Sequence, residues 1–263
     1  MEGPVMKCEG LIYGINPLLE ALRSGGRRFN KIYLVKGRRD KDMDEIVLLA
    51  KRLGATIYYE PREILDRIAP HKRHQGAVGI VSPKEYSTIE DILDVARSRD
   101  EVPFILIIDG IDDPRNLGAI IRSAEGAGVH GIVIPERRSA GITDLVSRAS
   151  AGAVEYMPVA RVVNIVRVID LLKDNGLWII GLDAGGEKSY LELDYGGPIG
   201  AVIGNEGSGI RRLALERCDE VVSIPSKGRV SSLNVSVAAS IFAYEVLRQR
   251  RVESKDGRSI RKS

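Results

Sequence analysis

The second half of the chain carries six apolar runs: "FILIIDG" (104–110), "GIVIPE" (131–136), "VEYMPVA" (154–160), "LWIIGLDA" (177–184), "PIGAVIGN" (198–205) and "EVVSIPS" (220–226). Helical patterns separate them at about 114–127, 143–151, 163–175, 208–217 and 235–250. Runs this continuous leave no polar face for water, so they predict strands buried on both sides, hence a parallel sheet covered by helices. In such a sheet the chemically active residues collect just beyond the strands' carboxyl ends. That places three loops of this chain under scrutiny before anything else is known.

The first eighty-odd residues predict a separate, smaller α/β unit. "GINPLLEAL" begins a helix with Asn16 as its N-cap and Pro17 at the first helical position. "KIYLVKG" and "ATIYYE" are strand-like, "DMDEIVLLAKRLG" and "PREILDRIA" helical, and "HQGAVGIVS" a short apolar strand. The expected organisation is a domain over 1–83, a linker and capped helix over 84–100, a second domain over 101–253, and a basic tail over 254–263.

The N-terminal stretch "MEGPVMKCEG" has no apolar core of a secretion signal, and "FILII" is too short to cross a bilayer, which points to a cytoplasmic protein with no membrane partner. Its two cysteines, Cys8 and Cys218, lie far apart without metal-ligand spacing, so reduced thiols are expected and no metal. The net charge of +3 is unevenly spread. Residues 23–41 hold eight Lys/Arg against one Asp, and residues 248–263 seven against two acids, so the rest of the chain up to 247 carries −2. Two local basic clusters suit a phosphate backbone.

Three strand-end stretches carry the candidate chemistry. In "IIDGIDDPRNLGAIIRSAEGAG", helix capping explains the Asp-Pro pair but not Asn116 and Arg122, polar groups that a packed helix would rather not bury. In "AVIGNEGSGI", an apolar strand empties into Gly204, Asn205, Glu206, Gly207, Ser208 and Gly209, where glycines let a ligand approach the backbone. In "SKGRVSSLNVSVAAS", a helix capped by Ser232 or Asn234 follows, with Ser232, Ser236 and Ser240 four apart beside Ala238, Ala239 and Ala243. Two nucleotide-binding patterns fail on the letters. No strand precedes a GxGxxG, and "GLDAGGEKS" has Glu187 where a P-loop needs glycine.

"DPRNLGAIIRSAEGAG", "PIGAVIGNEGSGI" and "IPSKGRVSSLNVSVAASIFAYEVL" together resemble the three ordered motifs of the SpoU (TrmH) branch of the SPOUT RNA methyltransferases. "YGINPLLEAL" and "HKRHQGAVGIV" are similar to the N-terminal RNA-binding domain of its ribosomal RNA members, most like the bacterial 23S rRNA guanosine 2′-O-methyltransferases. The resemblance implies a small N-terminal α/β RNA-binding domain followed by a parallel-sheet α/β domain tied in a trefoil knot. It implies a homodimer that uses S-adenosylmethionine to methylate a ribose 2′-oxygen in RNA. By position, it implies that Leu182, Gly204, Ile224 and Leu233 hold the cofactor and that Asn116, Arg122, Glu206, Ser232 and Asn234 form the catalytic set.

Three rivals stand beside that reading. A transfer RNA 2′-O-methyltransferase shares the chemistry but tends to lack a complete N-terminal domain of this sort. A non-catalytic RNA-binding or ribosome assembly factor would show decay of Asn116, Arg122, Glu206 or Ser232, and all four are present. A small-molecule nucleotide enzyme leaves the basic N-terminal cluster unexplained.

Overall fold

The computed structural model describes residues 10–69, 73–205, 207–228 and 233–260, with side chains as far as 251. It divides into two compact units: the chain up to Glu85 together with Ile142–Tyr156, and Tyr86–Gly141 together with the chain from Met157 onward. Among the described residues no helix is long and apolar enough to cross a membrane.

In the first unit, strands β1 (Gly10–Tyr13), β2 (Phe29–Val35), β3 (Thr56–Glu60) and β4 (Ala77–Val81) form a sheet of order β1-β4-β2-β3. β4 runs antiparallel to β1 and β2, whereas β2 and β3 are parallel. Alternation splits the apolar residues between two faces. Ile12, Ile32, Leu34 and Val81 meet helices α1 (Ile15–Ser24) and α2 (Lys41–Arg52), while Tyr13, Tyr33 and Val78 meet α3 (Arg62–Ile68).

Helix α1 does not start as its letters suggest. Gly14, at φ +101°, is the N-cap, and the side chain of Gln75 accepts the Ile15 N–H at 3.1 Å. Asn16 therefore lies inside the first turn, exposed, instead of capping.

The segment Ile142–Tyr156, which the sequence pattern put in the second domain, packs with the first unit. It holds helix α6 (Asp144–Ala149) and a 3-10 turn over Ala153–Glu155, the latter where a strand was expected. The physical reason lies 128 residues away. Arg27 clamps Glu155 with two bonds of 2.8 and 2.7 Å, both side chains buried, and Lys84 Nζ donates to the Glu155 carbonyl at 2.9 Å. A Cβ on Gly152 would sit 2.5 Å from that of Glu20, so only glycine allows this approach to α1.

The second unit starts with α4 (Ile89–Ser98), whose N-cap Thr88 forms a capping box with Asp91. Its sheet is parallel throughout, as the apolar runs required. The order is β7-β6-β5-β10-β8-β11-β9, formed by β5 (Phe104–Asp109), β6 (Gly131–Pro135), β7 (Val159–Val162), β8 (Trp178–Leu182), β9 (Lys188–Ser189), β10 (Ile199–Gly204) and β11 (Glu220–Ser223). Ile105, Ile107, Val133, Ile179 and Val202 share one face with α7 (Ile165–Asp174) and α8 (Arg212–Leu215). Phe104 faces the other way. It meets Phe242 of α9 (Val235–Ile260), which also packs edge-on against Tyr195, with ring centroids 6.4 and 5.0 Å apart.

Helix α9 continues to Ile260, past the expected start of the tail. Part of the C-terminal basic cluster is structural. Arg250 donates to the carbonyls of Val102, Pro103, Tyr195 and Gly197 and covers the Phe104 ring, and Arg248 pairs with Glu245.

Candidate active site

The carboxyl ends of β5, β10, β8 and β11 lie side by side, so the loops after Asp109, Gly204, Leu182 and Ser223 converge on one edge of the sheet. The loop after β10 is held tightly. Asn205 and Gly209 exchange backbone bonds of 3.1 and 2.9 Å, folding the loop back onto Gly204. A Cβ on Gly204 would lie 2.0 Å from the Gly209 carbonyl carbon, a contact no side chain tolerates.

A buried carboxylate anchors the far end of this loop. Asp109 accepts the Arg211 backbone N–H at 2.8 Å and its Nε at 2.7 Å, and the hydrogen bond to Asp109 holds the Arg211 guanidinium above its ordinary pKa. Because Asn205, Gly209 and Arg211 are committed to this geometry, the helix expected over 208–217 shrinks to Arg212–Leu215. Asn205 Nδ2 also reaches Asp112 Oδ2 at 3.3 Å, tying the β10 loop to the loop after β5.

Between these loops lies a cavity of about 420 Å³. Leu182, Ile203, Ile224, Leu233 and Val235 form its apolar walls; Asp183, Asn205, Ser208 and Ser226 bring polar groups; Gly204, Gly207 and Gly209 expose backbone. The four residues expected to hold a cofactor, Leu182, Gly204, Ile224 and Leu233, all line this one cavity. Asp183 and Asn205 were not singled out as ligands by sequence. Each stands one residue past an apolar strand end, the only local signal that could have found them.

The catalytic set is gathered in part. Helix α5 (Pro114–Gly126) begins at Asp113, whose carboxylate accepts the Arg115 N–H at 2.8 Å and is held below its ordinary pKa chiefly by that bond. Asn116 projects from its first turn toward α9, where Asn234 Nδ2 donates to Asn116 Oδ1 at 3.1 Å. The same Asn234 caps α9 by accepting the Ser236 N–H at 2.9 Å and the Ser236 hydroxyl at 2.5 Å. Two turns along, the hydroxyls of Ser123 and Ser240 meet at 2.7 Å, so α5 and α9 are joined along one seam.

Arg122 stands off that seam. Six residues beyond Asn116 is about 240° round an α-helix, so it lies about 120° away on the exposed face of α5. Among the described residues Arg122 has no ion pair. Glu206 and Ser232 lie outside the described residues.

Apolar walls for a flat ring, a carboxylate and exposed backbone for polar groups, and a volume in the usual range for a cofactor site suit a nucleoside with a charged tail. Among the described residues no group of three or more His, Cys, Asp or Glu gathers as a metal site would require.

Known proteins match the chain over most of its length. The family model described as the SpoU rRNA Methylase family matches residues 103–244, and that described as RNA 2'-O ribose methyltransferase substrate binding matches residues 11–87. A putative TrmH family tRNA/rRNA methyltransferase, YacO of Bacillus subtilis, is 41% identical over 91% of this chain and 95% of its own length. The 23S rRNA (guanosine-2'-O-)-methyltransferase RlmB of Shewanella oneidensis is 39% identical over 94% of this chain and 100% of its own. Among solved structures, the SpoU methyltransferase AviRb from Streptomyces viridochromogenes, in complex with AdoMet, superposes with a TM-score of 0.77 at 25% identity, covering 93% of this chain and 91% of that one.

Proposed function

The chain belongs to the SpoU rRNA methylase family, and from that premise we propose that it transfers the methyl group of S-adenosylmethionine to the ribose 2′-hydroxyl of a guanosine in 23S rRNA. The observation that carries this reading is the cavity at the sheet edge, walled by the loops after β8, β10 and β11 and adjoining the bonded pair Asn116 and Asn234. The ribosomal RNA guanosine is supported by the full-length match to the Shewanella protein and by the match of residues 11–87 to a substrate-binding model.

When bound, the cofactor supplies an already activated methyl group on a sulfonium, so the protein's task is alignment and proton management. Leu182, Ile224 and Leu233 would offer apolar surface to the adenine, and Gly204 would keep the approach open. Asn234 has a fixed position because its oxygen is spent on the α9 cap, leaving its amide to hold Asn116. The pair would orient the ribose.

A guanidinium stays protonated, so Arg122 would stabilise charge developing on the 2′-oxygen or clamp an adjacent phosphate instead of removing the proton outright. Glu206 and Ser232 complete the set, Glu206 by fixing a backbone or an arginine or by accepting a proton. The reading includes a cytoplasmic homodimer with the cavity beside its interface, supported by the exposed apolar residues Leu233, Val237 and Tyr244 at and along α9. It also includes the family's knot, supported by the path of α9. That helix leaves the sheet beyond β8 yet packs against α5 and β10.

The test is incubation with unmodified 23S rRNA and transfer RNA and labelled cofactor, followed by mapping. Label in 23S rRNA at a guanosine ribose is expected, and label confined to transfer RNA would overturn the target. Calorimetry showing no S-adenosylmethionine affinity would overturn the enzyme. Arg122→Lys is expected to lose most turnover and Asn234→Ala to reduce it in a folded protein. Near-full turnover of the lysine variant would refute a role that needs the planar guanidinium of Arg122.

A further inference from the structure

A second cavity, of about 400 Å³, belongs to the first unit by every residue that lines it, and the methyl-transfer reading leaves it unused. Its functional lining is Tyr13, Asn16, Arg62, Arg73, Gln75 and Arg148. The three arginines come from separate places: the start of α3, the approach to β4, and α6 in the Ile142–Tyr156 segment. Among the described residues none of the three has an ion pair, and no carboxylate lines the cavity. This contrasts with Arg23, Arg27, Arg38, Arg97 and Arg211, each bonded to an acid.

Three guanidiniums without an ion pair among the described residues stand around one hollow and repel each other, and the contact of Arg148 with the Tyr13 ring leaves that charge unneutralised. An anion supplies the missing partner. Helix α1 adds to the same field, because its first turn opens on the cavity and contains no acidic residue.

An independent observation comes from Tyr13. The residue is 1% exposed, its hydroxyl is buried without a hydrogen-bond partner among the described residues, and the Arg148 guanidinium lies 5.6 Å from its ring centroid. A buried hydroxyl left unpaired costs stability that Phe at the same position would not. A neutral ligand group would satisfy it. Gln75 and Ala151, which also line the cavity, hold φ of +53° and +52°, backbone that non-glycine residues rarely adopt.

From these groups together we infer that the cavity is a binding site for one unpaired nucleotide of RNA, its phosphate held by the arginines and its base or ribose read by the Tyr13 hydroxyl and the Asn16 amide. A bare phosphate would leave most of the volume empty and give the neutral groups nothing to meet. Unpaired nucleotides expose the edges and the 2′-hydroxyl that such groups recognise, and guanidinium planes stack on bases. Arg148 makes the segment Ile142–Tyr156 part of substrate recognition as well as of the fold. The assignment rests on the methyltransferase reading only for the identity of the polymer.

The test uses the full chain with two probes, unmodified 23S rRNA and a fully duplex RNA, titrated across salt concentrations beside S-adenosylmethionine calorimetry. Arg148→Ala and Arg73→Ala are each expected to weaken 23S rRNA binding roughly tenfold and to lower the magnitude of the salt slope by about one. Tyr13→Phe is expected to weaken it several-fold without lowering thermal stability. Cofactor affinity is expected to be unchanged in all three. If the wild-type protein binds 23S rRNA and the variants match it in affinity and salt slope, this site is refuted alone. Duplex RNA binding as tightly through the same residues would refute the unpaired nucleotide. Wild-type protein that binds neither RNA nor cofactor would overturn the functional reading itself.

Discussion

Replacing Glu155 by Gln keeps the shape of a side chain that is completely buried and removes its charge, leaving Arg27, 5% exposed, without a counter-ion. Breaking a buried pair in this way costs about 3–5 kcal/mol, because the stranded ion keeps its desolvation penalty. The neighbourhood sharpens the loss. Burial already depresses the Lys84 pKa, with Glu155 opposing that shift and Arg27 adding to it, so Glu155→Gln leaves two cations facing each other. Against a domain stability of about 5–15 kcal/mol this is a large share. In native-state hydrogen exchange of the full chain, amides of β1 and β4 are expected to exchange faster by roughly two to four powers of ten. Arg23→Ala breaks exposed pairs with Glu20 and Glu45 and is expected to cost no more than about 1 kcal/mol. The double variant Arg27→Met/Glu155→Leu, which removes both charges and keeps apolar volume, is expected to recover most of the loss. If Glu155→Gln costs no more than Arg23→Ala, or if the double variant is as damaging as its two singles summed, the buried pair is not what holds Ile142–Tyr156 in the first unit.

Gly204→Ala is expected to lower S-adenosylmethionine affinity by roughly one to two powers of ten, since overpacking against backbone at 2.0 and 2.2 Å forces the 205–211 loop to shift while Asp109 restrains its far end. Gly207→Ala, whose Cβ would among the described residues meet only Asn205 Oδ1 at 3.8 Å, is the control, and equal calorimetric losses in both variants would refute the steric account. His130 is buried, its Nδ1 accepting the Phe104 N–H at 3.0 Å, and burial lowers its pKa below the usual 6.5. As pH falls below about 6.5 the unfolded chain takes up a proton that the folded chain resists, so this residue's contribution, fully present at neutral pH, is lost toward acid. A proton NMR titration of the His130 ring is expected to give a midpoint under 6.5, and a midpoint at or above it would refute the assignment.

The strands of the second unit were legible because burial on both faces writes itself as uninterrupted apolar letters. β5, β6, β8 and β10 fall inside the expected runs, each ending within two residues of its expected end. Elements fixed by distant contacts were not legible. "VEYMPVA" reads as a strand, yet its first half turns over Ala153–Glu155 because Glu155 serves Arg27, and the strand begins only at Val159. Asn16 carries the letters of an N-cap, but Gln75 satisfies the first helical N–H, that of Ile15, from 60 residues away. A local pattern states what a segment can do alone and is silent about a better partner elsewhere.

The site shows the same division. Parallel-sheet geometry converts separation along the chain into adjacency at strand ends, which is why the loops after β5, β10 and β11 could be grouped from letters; the choice of Leu182, Gly204, Ile224 and Leu233 within and beside them came from the family resemblance, and all four are found around one cavity. The position of Arg122 around α5 relative to Asn116 follows from helical arithmetic, but nothing local says whether a partner meets it there. Charge was the least legible quantity, because counting Lys and Arg along the sequence measures density and not availability. Of the basic run 23–41, Arg23, Arg27 and Arg38 are bonded to Glu20, Glu45, Glu155 and Asp40. Arg62, Arg73 and Arg148, too scattered to register as a cluster, converge on one hollow without an acid among them. Where positive charge is available on the first unit is therefore decided by the pairing and convergence that the fold imposes, and not by density along the sequence: the run 23–41 spends Arg23, Arg27 and Arg38 on acids, while residues as scattered as Arg62, Arg73 and Arg148 gather around one hollow.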